Sequence, residues 1–376
     1  MEKHIQREIQ KSILGDFFKG KIIIIAGARQ VGKTTLVEEI LKDKEGLISF
    51  NADNPTDRER LEKRDLEQLI SVIGDAKIIF IDEAQKVVDI GNTLKLLVDY
   101  YGREKQIIAT GSSSLNLLSN TSESLTGRKY VYELYSLSVR EICSDKNTLR
   151  LEKELSDLLV YGTYPEVYLS SIDNKQRLLT EITNSYLYQD ILELGQVRNP
   201  ETLNKLLSAI ALQIGSEVSL SELGKTVNLD LKTVERYIDL LEKSYVLFRL
   251  PPYYTNQRKT LSKLNKVYFY DLGIRNALIN NFNSLDKRSD VGGLWENFII
   301  VERMKLRKYG GRYANQYFWK TYDGSEIDLV EQVAEKLNGY EIKWGRERTS
   351  PKSWLEYPNS SYEVVNKENF KDFLEI

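Results

Sequence analysis

The sequence holds one cysteine, Cys143, and one histidine, His4, in 376 residues. A lone cysteine excludes an internal disulfide and any cysteine-rich zinc site. A lone histidine near the start, outside any motif, argues against a Ser-His-Asp triad, a His-Cys pair or a histidine-rich metal centre. Hydrolytic chemistry must then run on carboxylates, lysines and an oxygen-bound cation such as Mg²⁺. The net charge is only −2, so bulk charge does not predict nucleic-acid binding, and a local basic surface would have to supply it. No apolar run reaches the length of a membrane span, and Met1-Glu2-Lys3-His4 does not read as a signal peptide. The expectation is a cytoplasmic protein with no membrane partner. Only seven prolines and 41% hydrophobic residues describe a globular chain, long enough for roughly two to four compact units.

What is present begins with Gly27-Ala28-Arg29-Gln30-Val31-Gly32-Lys33-Thr34, which fits the phosphate-binding P-loop. The β-branched run Lys21-Ile22-Ile23-Ile24-Ile25-Ala26 before it predicts a buried strand. Thr35 to Lys42 after it has helical spacing. Strand, loop and helix thus come in the order the motif needs. Glycines let successive N–H groups face phosphates, and the helix N-terminus adds a partial positive charge. Residues 27–35 are therefore expected to bind ATP, with Lys33 on the β- and γ-phosphates and Thr34 on Mg²⁺.

A second strand, Lys77 to Ile81, ends in Asp82-Glu83, the Walker B pattern. Hydrolysis needs one acid for the metal and one for the nucleophile, so Asp82 is expected at Mg²⁺ and Glu83 at the attacking water. Strands are also predicted at Leu47 to Phe50 and at Gln106 to Thr110, the latter ending in Gly111-Ser112-Ser113. Ser112 or Thr110 is the candidate sensor of the γ-phosphate. Arg128, in Leu125-Thr126-Gly127-Arg128, is a candidate for stabilising transition-state charge, in cis or across a subunit interface. Alternating strands and helices predict an α/β fold with a mostly parallel P-loop sheet.

Gly-Ala-Arg-Gln-Val-Gly-Lys-Thr-Thr, Ile-Asp-Glu-Ala-Gln, Ala-Thr-Gly-Ser-Ser and Leu-Thr-Gly-Arg, in this order, resemble a family of prokaryotic AAA-like ATPases with a C-terminal domain long labelled as of unknown function. The resemblance covers nearly the whole chain and is most specific at the P-loop. Tyr135 to Glu141 is similar to the segment that closes their ATPase core. Tyr161-Gly162-Thr163-Tyr164-Pro165 resembles their Gly-Gly-x-Pro element, with Thr163 where the second glycine is usual. The resemblance implies that Pro165 packs near the nucleotide and leaves a homo-oligomer open.

Residues 146–210 read as a helical lid after an ATPase domain at 1–145, with amphipathic spacing at Leu151 to Leu159 and again at Leu178 to Leu194. Residues 211–280 have a winged-helix rhythm, in which 231, 234, 238 and 241 form one apolar face and Val246 to Leu250 starts a wing. Arg249, Arg258, Lys259, Lys263 and Lys266, with Tyr253 and Tyr254 among them, suggest a phosphate-contacting hairpin. DNA or a protein are both open as its partner. In 281–376, a helix with Glu296, a strand with Asp328 and a strand with Glu341 and Lys343 resemble the PD-(D/E)xK nuclease fold. That resemblance implies a second Mg²⁺ site on Glu296, Asp328 and Glu341, with Lys343 beside it. Two functions follow: an ATPase coupled to a DNA-binding, nuclease-like module, or a nucleotide-dependent regulatory switch whose C-terminal half docks protein.

Overall fold

The computed structural model describes residues 5–62, 65–112, 125–143, 148–187, 200–255, 264–345 and 350–376. These fall into two compact units, one of residues 5–136 with Lys243–Tyr245 and the other of residues 137–242 and 246–376.

The first unit is built on a five-stranded sheet of β1 (Ile22–Ala26), β2 (Leu47–Asn51), β3 (Ile78–Asp82), β4 (Gln106–Gly111) and β5 (Lys129–Glu133). Its order is β2-β3-β4-β1-β5, and every pair is parallel. Every residue of β1 and β4 is buried, which is why β1, and β4 at Ile107-Ile108-Ala109, are unbroken apolar runs rather than alternating ones. β5 is an edge strand of half-exposed Lys-Tyr-Val-Tyr-Glu and carries no such run in the sequence. Helices Lys33–Leu41, Leu66–Ile73 and Ile90–Tyr101 carry apolar faces, and Leu69, Ile90, Leu94 and Leu97 join Ile79, Ile81 and Ile107 of the sheet in one core. The Pro55–Leu61 and Leu66–Ile73 helices start at Asn54 and Asp65, whose side chains accept from the free N–H groups of Thr56 and Glu67. β1 lies between β4 and β5, while its successor β2 is at the far edge. The carboxyl ends of β1, β4 and β3 therefore line up side by side, where an open parallel sheet takes its ligand.

The second unit starts with helices Val139–Ile142, Thr148–Tyr161, Pro165–Leu169 and Ile172–Glu181, then a π-helical turn at Ile182–Leu187. The rest of the predicted helical run to Leu194 lies outside the described residues. Gly162 has φ of 69°, and a Cβ there would come within 2.0 Å of Asp271 Oδ1. Only glycine fits. Thr163 has no positive φ, and its N–H donates to Asp271 Oδ2 at 2.8 Å, so a threonine is accommodated in the position usual for the second glycine.

Helix Pro200–Leu212, β6 (Glu217–Val218), helices Leu220–Val227 and Leu231–Lys243, then β7 (Leu247–Leu250) and β8 (Asn265–Phe269) follow. The strands pair antiparallel in the order β6-β8-β7. The turn between the last two of these helices is tight because Gly224 lies against Leu229 O, 2.7 Å from where a Cβ would be. Val234, Tyr237, Ile238, Leu240 and Leu241 form the buried face. Leu231, expected on it, is 50% exposed, because it opens the helix before the face turns inward. Helix Val291–Tyr309 then leads into β9 (Asn315–Lys320), β10 (Glu326–Val333), β11 (Lys336–Ile342), the short helix Lys352–Leu355 and β12 (Ser360–Val365). Their order is β12-β11-β10-β9, antiparallel except for the parallel pair of β11 and β12. Trp319, Ile327, Val330, Leu337 and Trp354 form a core on this sheet.

Candidate functional site

The P-loop curls for two separable reasons. At Gly27 a Cβ would lie 2.1 Å from Leu134 O, so no side chain fits. Leu134 N donates to Ala26 O at 2.7 Å and pins that approach. Gln30 and Gly32 take φ of 60° and 91°, which turns the loop into the Lys33–Leu41 helix and aims its N-terminus inward. Lys33 is buried, and its Nζ donates to Gly27 O at 3.0 Å and Ala28 O at 2.8 Å. Thr35 is exposed on the next step of the helix.

Because β4 lies between β1 and β3, its tip falls between the P-loop and Walker B. Thr34 Oγ1 donates to Asp82 Oδ2 at 2.9 Å. Thr110, fully buried, donates its hydroxyl to Asp82 Oδ1 and accepts from Glu83 N at 3.2 Å. Glu83 has left-handed φ and ψ of 51° and 40°. For a residue with a Cβ this costs about 1 kcal/mol, a strain typical of functional positions. Gln85 Nε2 donates to Glu83 Oε2 and, at 3.0 Å, to buried Ser112 Oγ. A hydroxyl and a carboxylate in contact are hard oxygen donors of the kind Mg²⁺ takes together with phosphate oxygens and water, so Thr34 and Asp82 fit the ion.

Arg128 stands elsewhere in the first unit, and Pro165 belongs to the second. Arg128 is at the amino end of β5, where its carbonyl accepts from Ile22 N at 2.9 Å. All five strands run the same way, so the five residues of β1, about 16 Å of strand, separate it from the P-loop edge. Its guanidinium pairs with Asp99 at 2.5 Å in solvent. The first unit thus does not bring Arg128 to this site. Pro165 is the first residue of the Pro165–Leu169 helix in the other unit, so the first unit does not itself contain it.

The second candidate cluster is also assembled. Leu329 opposite Tyr340 in the β10–β11 register brings Asp328 beside Glu341. A register shift against β9 between Ile327 and Val330 falls at Asp328. Lys343 Nζ lies 3.0 Å from Asp328 Oδ2 and 3.0 Å from Glu341 Oε1. Burial would lower the Lys343 pKa, but the two carboxylates, Asp328 most, raise it above the ordinary lysine value.

Glu296 has partners of its own. It accepts from Tyr268 OH at 2.6 Å and Lys266 Nζ at 3.0 Å, two residues that share one face of β8. Lys266 also pairs with Glu326 at 2.5 Å and lies 3.5 Å from Asp328 Oδ1. Burial, and next the Asp328 charge, push the Glu296 carboxyl up to about 7. Two ammonium groups stand among these carboxylates. Among the described residues no three carboxylate, cysteine or histidine side chains are grouped to hold a metal ion.

The proposed basic hairpin changes in the same way. Arg249 is tied to Asp239 at 2.6 Å and to Glu242. Lys266 is 3% exposed in the cluster just described. Arg258, Lys259 and Lys263 lie outside the described residues.

Residues 19–143 match the family model of an AAA domain. Most of the first unit is thus similar to an AAA domain. Residues 152–285 and 291–367 match two domains of unknown function, DUF8612 and DUF4143. An uncharacterized protein of Mycobacterium tuberculosis is 29% identical over 86% of this chain and 70% of its own length. An uncharacterized protein of Haemophilus influenzae is 24% identical over 99% of this chain and 92% of its own. Among solved structures, the Walker-type ATPase of Pyrococcus abyssi aligns with a TM-score of 0.48 and 15% identity, covering 73% of this chain and 96% of that one. No helix among the described residues is long and apolar enough to cross a membrane.

Two site residues of the AAA-like domain have no motif to mark them. Arg7 is buried, and its guanidinium donates to Val31 O in the P-loop at 2.7 Å and to Tyr135 O at 2.6 Å. Its sequence separations of 24 and 128 residues from those partners leave no local signal. Gln85 does close the Ile-Asp-Glu-Ala-Gln run, but its partner Ser112 is 27 residues away.

Proposed function

We propose that the AAA-like domain hydrolyses ATP with Mg²⁺. What carries this reading is the meeting of Lys33, Thr34, Asp82, Glu83 and Ser112 from three adjacent strand ends. Backbone N–H groups of residues 27–34 and the helix N-terminus bind the phosphates, and Lys33 moves from its loop carbonyls to the β- and γ-oxygens. Thr34 and Asp82 would hold Mg²⁺, whose charge would offset that of the phosphoryl oxygens. Glu83 orients the attacking water and takes its proton. Ser112, at the tip of the central strand, contacts the γ-phosphate.

The second unit is then the output module. The order of helix, three antiparallel strands, short helix and parallel strand, with Asp328, Glu341 and Lys343 together, supports a PD-(D/E)xK-like fold. The helix pair set between β6 and the β7–β8 strands of one antiparallel sheet supports a winged-helix-like one. Of the two couplings, the internal pairing of Arg249 and Lys266 favours a nucleotide-dependent switch that docks protein over a DNA-cleaving device. Charges satisfied within the chain are not available to phosphates.

The deciding experiment is ATP turnover by wild type and Glu83→Gln, with and without DNA. Turnover in wild type that Glu83→Gln loses, unchanged by DNA, is expected. DNA-stimulated turnover, with DNA cleavage that Asp328→Ala abolishes, would restore the nuclease coupling. Unchanged ATP affinity in Lys33→Ala would overturn the phosphate assignment.

A further inference from the structure

We propose that Gln85 is the positioning residue for Glu83, joining the carboxylate that activates water to the γ-phosphate contact at Ser112. The proposal rests on the hydrolytic reading above and adds how that site is set.

Gln85 lies in the 3₁₀ turn Ala84–Lys86, directly after the strand that ends in Asp82. An amide nitrogen has two hydrogens to donate. Gln85 gives one to Glu83 Oε2 and the other to Ser112 Oγ, so its nitrogen is fully used by these two groups. Glu83 can meet a side chain two residues on because its own backbone is left-handed, φ 51°, and folds the turn back on itself. Thr110 holds that peptide from below by accepting Glu83 N. Backbone and carboxylate of Glu83 are thus both fastened to β4, at Thr110 and through Gln85 to Ser112. One carboxylate oxygen is taken by the amide, and the carboxylate has acceptor capacity left for a water.

A second observation points the same way. Gln85 Oε1 is buried and finds no donor among the described residues. A buried acceptor left unmade costs about 1–3 kcal/mol, and such groups recur where a site must receive a water or ligand. Gln85 therefore presents an open acceptor next to the carboxylate it orients. A shift of Ser112 on phosphate contact reaches Glu83 through this one side chain. Holding a flexible carboxylate in its productive geometry affects turnover rather than binding.

The test is steady-state and single-turnover hydrolysis by Gln85→Ala, alone and in the Glu83→Gln and Ser112→Ala backgrounds. In the wild-type background kcat should fall about tenfold, with KM and ATP affinity within about twofold. In either of the other backgrounds the further loss should be less than about twofold, because the path it acts through is already cut. A merely structural role would instead lower Tm and ATP affinity and add fully to Glu83→Gln. Gln85→Met, which keeps the length without the amide, repeats the test should the alanine protein not fold. Wild-type turnover in Gln85→Ala, or full additivity with Glu83→Gln, overturns this proposal alone. A wild type without turnover overturns the hydrolytic reading and this proposal with it.

Discussion

Asp82 in the first unit and Asp328 in the second are both carboxylates near the ends of buried strands, each with another acid close by. Their partners differ. Asp82 is met by the hydroxyls of Thr34 and Thr110, and Glu83 by the amide of Gln85, all of them neutral. Asp328 is met by the ammonium of Lys343, with that of Lys266 close to its other oxygen. A neutral donor orients a carboxylate and leaves its charge for an incoming cation. An ammonium group takes up the charge itself. The first arrangement leaves its charge for the Mg²⁺ proposed there, and the second is held together by its own ion pairs.

The largest effect that would sharpen this contrast is chemical. Glu83→Gln should lower turnover about a thousandfold while ATP affinity stays, since only the general base is lost. A phosphate-release assay beside a fluorescent-nucleotide titration separates the two. The next effect is on stability and has opposite outcomes in the two regions. Lys266→Ala leaves Glu296, Glu326 and Asp328 without their shared cation, and should destabilise the second unit by about 3 kcal/mol. Asp82→Asn breaks no ion pair among the described residues, and should abolish turnover with little change in Tm. Equal losses of Tm in the two variants, measured by calorimetry, would break the comparison.

Glu331 offers a third kind of carboxylate. It is fully buried and held by Arg303 and Arg307. Burial alone would raise its pKa, but the hydrogen bonds from Arg307 and Arg303 outweigh this and lower it below 4.5. A lowered folded pKa means stability that is present above the unfolded value of 4.5 and is lost as pH falls through the lowered one. Glu331→Gln should cost about 3 kcal/mol at neutral pH and flatten the acid limb of denaturant midpoint against pH. The smallest effect is at Arg128. Its pair with Asp99 lies in solvent at the far edge of the sheet, so Arg128→Ala should leave turnover and Tm unchanged. A clear fall in turnover at all protein concentrations would reinstate it at the site.

The contiguous parts of the site were legible. Lys33, Thr34, Asp82 and Glu83 each sit within a few residues of a strand whose β-branched run marks it, because a strand buried on both faces must be apolar throughout. β5 was not legible, because a half-exposed edge strand needs no such run. Glu296 read as a metal ligand because helix, strand and Glu-x-Lys came in the right order. Nothing in that order shows that Lys266, 30 residues upstream, would reach it first. Arg128 read as a neighbour of the sensor strand because it follows it in sequence, yet parallel strands return each connection to the opposite end of the sheet.

By itself the sequence determined where phosphates can be cradled, which strands are buried and which acids stand at their ends. These depend on local conformation and on residues within one turn or one strand. The tertiary structure alone decided what each acid touches. β4 inserts between β1 and β3 and brings Thr110 and Ser112 to Walker B, where Gln85 meets Ser112. β8 delivers Lys266 to Glu296 and Asp328. The charge left on a carboxylate depends on partners a few ångströms away in space, and folding brings those together from segments that no spacing rule connects.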